Sequence, residues 1–233
     1  MTALQDYPPQ VQDEIARARE DVCALHAELT RWNLVVWTAG NVSQRLYSAD
    51  LMVIKPSGVR YDRLTPDDMV VCDLDGVLVD GDHSPSSDTA AHAYVYRHMP
   101  EIYGVVHTHS TYATAWAARG EEIPCVLTMM GDEFGGEIPV GPFALIGDDS
   151  IGRGIVETLR GSRSSAVLMR NHGVFAIGPT ARAAVKAAVM CEDVARTVHV
   201  SRQLGAPLAI EQEHVDSLFD RYQNVYGQRR EGL

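Results

Sequence analysis

Met69-Val-Val-Cys-Asp-Leu-Asp-Gly-Val-Leu-Val79 decides the fold class of this chain. Residues 69–74 and 77–79 are β-prone runs on either side of Asp75-Gly76. A Gly at that place takes the positive φ that a tight hairpin turn demands. Strands joined by so short a turn must pair antiparallel. Upstream, Leu51-Met-Val-Ile-Lys55 is a further strand, closed by the Pro56-Ser57-Gly58 turn. Thr65-Pro66 opens one short helical turn between the two. Downstream, strands are expected at residues 105–109, 138–140, 166–169 and 174–177. Helices mix with them along the whole length. Val11, Ile15, Val22, Leu25, Leu29 and Trp32 recur at helical spacing over residues 9–32. Others are expected at 88–98, capped by Ser87 or Asp88, and at 111–119, stopped by Gly120. Three more cover 149–159, 180–204 and a stretch from about 211. No linker, repeat or low-complexity segment interrupts residues 1–233, which read as one α/β domain. Its sheet is mixed and mostly antiparallel, covered by helices.

Composition narrows the function. With 45% hydrophobic and 22% charged residues, the chain has the balance of an ordinary globular protein. A net charge of -11 argues against a nucleic-acid or anionic-membrane surface, both of which need clustered Lys and Arg. It leaves room for a small phosphorylated ligand held by backbone amides and hydroxyls. Neither a secretory leader nor a membrane-length apolar run is read at the N-terminus or elsewhere. Cys23, Cys72, Cys125 and Cys191 are scattered and form no Cys-x-x-Cys pair, as expected of reduced thiols in a cytoplasmic protein.

The chemistry gathers around His107-Thr108-His109 in Gly-Val-Val-His-Thr-His-Ser. Alternate residues of a strand share a face, so two imidazoles at this spacing can grip one metal ion. Such a pair also arises by chance, and a third ligand decides between the two readings. His172, in Arg170-Asn171-His172-Gly173 after the apolar run 166–169, is a candidate, and Asp88 offers a carboxylate ahead of a helix. Three imidazoles with a nearby carboxylate suit zinc or a similar divalent ion.

Gly40-Asn41, Ser57-Gly58 and Ser86-Ser87 are each ordinary turns when taken singly. Together, with Lys55 close by, they offer hydroxyls, an amide and free N–H groups able to cradle a phosphate. Lys55 reads equally well as a solvated strand-end charge. Asp132, in a glycine-rich stretch, is either a solvated loop acid or a general acid or base. Gly152-x-Gly154 lacks the strand-to-helix setting of a dinucleotide turn and is dismissed. His26, His83, His92, His98 and His199 carry no motif and receive no role.

Thr-Ala-Gly-Asn-Val-Ser, Ile-Lys-Pro-Ser-Gly-Val, Pro-Ser-Ser-Asp-Thr, Val-Val-His-Thr-His-Ser and Asn-His-Gly occur in this order. Over about residues 10–228 the chain thereby resembles the class II aldolase/adducin family, and most of all its L-ribulose-5-phosphate 4-epimerase branch. The branch features are Asp88 (the aldolases carry Glu there), Ser110, Asp132 and the C-terminal Val-Tyr226-Gly-Gln. The resemblance implies a three-layer sandwich and a Zn²⁺ site, Mn²⁺ or Co²⁺ being substitutes, made by His107, His109 and His172 with Asp88 on or beside the ion. It implies a phosphate pocket from Gly40, Asn41, Ser57, Gly58, Ser86 and Ser87, with Lys55 reaching the substrate. Asp132 and Tyr226 match an acid/base pair. The implied reaction interconverts L-ribulose 5-phosphate and D-xylulose 5-phosphate by retro-aldol opening and re-formation of C3–C4. The implied assembly is a homotetramer in which Tyr226 reaches a neighbouring site. An aldolase of fuculose or rhamnulose 1-phosphate type shares the metal chemistry but releases its fragments. One departure is evident: where the epimerases can have a functional His, this chain has Val215, with His214 adjacent.

Overall fold

The computed structural model describes residues 4–225. Eight strands form one sheet: β1 (Asn41–Arg45), β2 (Leu51–Ile54), β3 (Val70–Asp73), β4 (Leu78–Asp80), β5 (Gly104–Thr108), β6 (Val140–Gly141), β7 (Ala166–Met169) and β8 (Gly173–Gly178). Their order is β4-β3-β2-β1-β5-β8-β7-β6. Every pairing is antiparallel except β6 with β7, so the sheet is mixed and mostly antiparallel, as the hairpins required. The β3–β4 turn is built as its sequence suggests. Asp73 Oδ1 accepts hydrogen bonds from the backbone N–H of Asp75 and of Val77, both at 2.9 Å, and Gly76 takes φ 83°.

Both faces of the sheet are covered, giving three layers. On one face lie α1 (Pro9–Arg31), α3 (Thr111–Arg119) and α6 (Ala181–Leu204); on the other lie α2 (Thr89–His98) and α5 (Ser150–Leu159). Leu51 and Val53 join the first core while Met52 and Ile54 join the second. That is why β2 reads as an unbroken apolar run instead of an alternating one. α6 begins where Thr180 accepts a hydrogen bond from Ala183 N–H at 3.1 Å. Its first turn presses on β5 at Gly104, where a Cβ would meet Ala181 Cα and Thr180 O at 2.4 Å. Among the described residues no helix is long and apolar enough to cross a membrane.

Several boundaries differ from the sequence expectation. β5 ends at Thr108, leaving His109 just beyond it. Asn41, Val42 and Ser43 are strand, not turn; the turn precedes them, with positive φ at Trp37 and Gly40. Asp132 is not in a loop. It lies in α4 (Thr128–Phe134), which packs on α7 (Gln212–Asn224). The glycines around it serve this helix pair: a Cβ on Gly131 would meet Leu218 at 2.9 Å, and Gly135 ends α4 with φ 63°. Close packing and a left-handed cap explain a glycine-rich stretch that resembles a flexible loop.

Candidate metal centre

β5 and β8 lie side by side at the middle of the sheet, and their adjoining ends carry three imidazoles. His107 comes from the end of β5 and His109 from the residue after it. His172 comes from the turn between β7 and β8, where Asn171 takes φ 58°. One ligand atom from each of the three lies within 4.8 Å of the others. Gly173 makes the approach possible, since a Cβ there would meet Thr108 O at 2.5 Å and both strand imidazoles within 3.3 Å. The rings grade from buried His107 through half-buried His172 to exposed His109, so the cluster opens to solvent on one side.

Protonation states are set by the surroundings. His107 Nδ1 lies 2.9 Å from Val174 O, and a carbonyl can only accept, so Nδ1 carries the proton. Its Nε2 therefore presents a lone pair, 2.8 Å from His109 Nε2. Burial pushes the His107 pKa down to about 3 against the pull of Asp88, and burial lowers His109 and His172 as well. His172 Nε2 is buried with no hydrogen-bond partner. Neutral imidazoles, a His107 lone pair turned toward His109 and one orphaned ring nitrogen on His172 fit a borderline divalent cation, with the open side left for substrate.

Asp88 is not a member of that close set. It stands beside it, near enough for its charge to act on all three rings. Burial acts to raise its pKa, but attraction to His107, His92 and His172 and the Asn41 amide outweigh that, so the carboxyl stays below its usual range. Asn41 Nδ2 donates to Asp88 Oδ2 at 2.7 Å and to Ser86 Oγ at 2.9 Å. This is the first rung of a buried polar seam between β1 and α2. In the second, Ser43 Oγ lies 2.7 Å from both His92 Nδ1 and Tyr96 OH; in the third, Arg45 donates to Tyr96 O at 3.0 Å. Sequence reasoning missed His92, because its partner sits on a strand far back in the chain.

The small polar loops do converge. The Ser57 and Ser86 loops are joined by Ser57 N–H donating to Ser84 O at 2.9 Å and Ser86 N–H donating to Lys55 O at 3.1 Å. Ser57, Gly58 and Ser87 are exposed, and Gly58 takes φ 70°. Gly40 has φ 83°, and a Cβ there would strike His107 O at 2.8 Å, so this glycine keeps β1 against the metal strand. Lys55 is no solvated strand end. It is 2% exposed, its Nζ donates to Thr38 O and Pro56 O, and it lies over the Tyr61 ring. Burial pushes its pKa down to about 8.

Asp132 is not brought to this cluster within one chain. Its helix, α4, packs against α7 and the first turns of α6, where Glu133 pairs with Lys186 at 2.8 Å. That is the Gly178 end of β8, opposite the end that carries His172. The Asp132 carboxylate itself lies 3.7 Å from Arg221. On α7, Val215 is buried and His214 exposed, so only His214 is free to face outward. Tyr226 lies outside the described residues.

Three buried histidines make the fold acid-sensitive. Burial lowers His26 to about 3, His92 to about 4 and His107 to about 3. The unfolded chain, with imidazoles near their usual value of about 6.5, binds more protons in between. Their contribution is therefore fully present above about pH 6.5 and is lost as pH falls toward 3 to 4. Urea midpoints of metal-free protein should fall steadily from pH 7 to 4.5; a flat profile would show that these imidazoles protonate while folded.

A sheet sandwiched by helices, with a three-imidazole cluster at adjoining strand ends, offers the donor set of a candidate divalent-metal site. The model of the "Class II Aldolase and Adducin N-terminal domain" matches residues 20–199, and the chain belongs to that family. Its structure is similar to that of an L-fuculose 1-phosphate aldolase, at 26% identity and a TM-score of 0.84, covering 89% of this chain and 96% of that one. YgbL from Klebsiella pneumoniae matches at 27% identity and a TM-score of 0.77, covering 88% and 98%. The L-fuculose-1-phosphate aldolase of Thermus thermophilus matches at 26% identity and a TM-score of 0.68, covering 84% and 99%.

Proposed function

We propose that this chain is a metal-dependent sugar-phosphate 4-epimerase that interconverts L-ribulose 5-phosphate and D-xylulose 5-phosphate. The observation that carries the reading is the setting of Asp88. Its short carboxylate is tied by Asn41 at 2.7 Å and stands outside the close triad. A tethered group of this kind orients the site and is poorly placed to shuttle protons over a substrate. Acid–base work then falls to residues elsewhere.

His107, His109 and His172 would hold a divalent ion, Zn²⁺ best matching the donor set, and Asp88 would stand on its edge. When bound, such an ion supplies Lewis-acid charge for the ketose oxygens. Lys55 and the Gly40, Asn41, Ser57, Gly58, Ser86 and Ser87 groups would take the phosphate. Because C4–H is not acidic, inversion at C4 requires opening and re-forming C3–C4. One residue takes the C4 hydroxyl proton on opening. The aldehyde turns its other face, and a second residue returns a proton after re-addition. Asp132 and Tyr226 are the pair we assign, one for each epimer.

Asp132 lies by the far end of β8 from its own triad, so on this reading the site is completed by a second copy. We assign a homotetramer with sites between subunits. Tyr226→Phe and His109→Ala chains, each inactive alone, should recover activity when mixed after reversible dissociation. Random mixing leaves about a quarter of the sites with both an intact triad and an intact Tyr. Verified subunit exchange with no recovery would overturn the shared site.

The direct assay supplies L-ribulose 5-phosphate and follows its products. Formation of D-xylulose 5-phosphate supports the epimerase. Release of dihydroxyacetone and glycolaldehyde phosphate instead supports the second reading, a class II aldolase, which the 26%-identical fuculose 1-phosphate aldolase favours.

A further inference from the structure

The β1–α2 seam contains a histidine that the proposed chemistry does not use. Asn41, Ser43 and Arg45 are alternate residues of β1, and they meet Asp88, His92 and Tyr96, each four positions apart along α2. His92 is wholly buried. The direction of hydrogen bonding along the seam can be followed from its inner end. Burial raises the Tyr96 pKa, so the phenol keeps its proton, and its hydroxyl faces Ser43 Oγ at 2.7 Å. Either hydroxyl is able to donate across that contact; with Tyr96 as the donor, the rest of the seam follows. Ser43, with one proton of its own, donates to His92 Nδ1, also at 2.7 Å. His92 is thereby held as the tautomer protonated on Nε2.

That N–H is buried and has no hydrogen-bond partner in the protein. An unpaired buried donor is expensive, and native folds seldom leave one. One rung along the seam, Asp88 Oδ1 is a buried acceptor that likewise has none, while its sister oxygen is taken by Asn41. A donor without an acceptor and an acceptor without a donor thus belong to residues one turn apart on the same side of α2, with no direct hydrogen bond between their side chains.

We propose that His92 is the positioning residue of Asp88: no direct hydrogen bond joins the two side chains, and its Nε2–H serves the carboxylate oxygen that Asn41 leaves free through a bridging water, so fixing the carboxylate beside the imidazole triad. Ser43 and Tyr96 set the tautomer that makes this possible. The inference rests on reading the triad as a metal centre, not on which sugar phosphate is turned over. Groups that orient a metal site from behind typically change metal affinity by about ten- to a hundredfold.

The test titrates Zn²⁺ into metal-free, full-length protein in competition with a chromogenic chelator. His92→Phe fills the space but has no donor, and Zn²⁺ affinity should drop by about ten- to a hundredfold. His92→Gln retains an amide N–H, and should stay nearer wild type than His92→Phe. Ser43→Ala leaves the ring in place but frees the tautomer, and should weaken binding in the same direction. Wild-type affinity in a folded His92→Phe protein would overturn the proposal, and so would equal losses in His92→Phe and His92→Gln. Should His92→Phe fail to fold, Ser43→Ala decides the matter, and unchanged affinity there counts against it. Because the readout is metal affinity, a wild-type protein inactive on L-ribulose 5-phosphate would refute the epimerase reading alone.

Discussion

Replacing His109 or His172 with alanine should remove most bound metal and nearly all activity while leaving the protein folded. His109 is exposed and His172 half-buried, so less core packing is lost than at His107. Loss of a direct ligand should exceed the about ten- to hundredfold loss that follows removal of a supporting group. His107→Ala should lose the metal too, but with a second effect. That ring is buried, stacks on Phe175 at 4.2 Å between centroids, and donates to Val174 O. Its removal opens a cavity and deletes a buried hydrogen bond, which together should cost about 2–4 kcal/mol. Elemental analysis beside thermal unfolding separates the two effects. Full metal occupancy in any two of the three variants would show that the ligand set is wrong.

Asp132→Asn should lower epimerisation by about 10²- to 10⁴-fold, with metal content and substrate KM little changed. The substitution keeps size and polarity and removes only the ability to carry a proton. Arg221, 3.7 Å away, gives the acid a structural alternative. An Asp132→Asn enzyme that works at the wild-type rate would mean that this ion pair is the residue's whole role. The aldolase reading would then gain.

Much of the fold was legible because it depended on local rules. Asp75-Gly76 announced its hairpin, the Ala-rich run from Thr180 its helix, and the spacing of His107 and His109 two imidazoles brought close together. What escaped depended on partners distant in the chain. Asn41-Val-Ser-Gln-Arg45 did not look like a strand, because its inward residues are polar and satisfied only by α2. His92 looked like any helical histidine for the same reason. The helix around Asp132 exists because Leu218, far along the chain, lies against Gly131. Lys55 read equally well as a solvated charge or a ligand contact, since nothing near it in sequence announced the carbonyls of Thr38 and Pro56 that receive its ammonium.

The β1–α2 seam also bears on how the chain avoids folding wrongly. Alternate strand residues advance about 6.8 Å, and helical residues four apart advance about 6 Å, so three rungs stay in step. If β1 paired one residue out of register, Asn41, Ser43 and Arg45 would turn toward the apolar core under α1 and α6. Val42 and Gln44 would face Asp88 and His92 in their place. A buried carboxylate without its donor costs about 3–5 kcal/mol, a large share of the stability of a domain this size. The polar groups beside the imidazole cluster therefore also act as a proofreading code for β-pairing, which an apolar seam would lack.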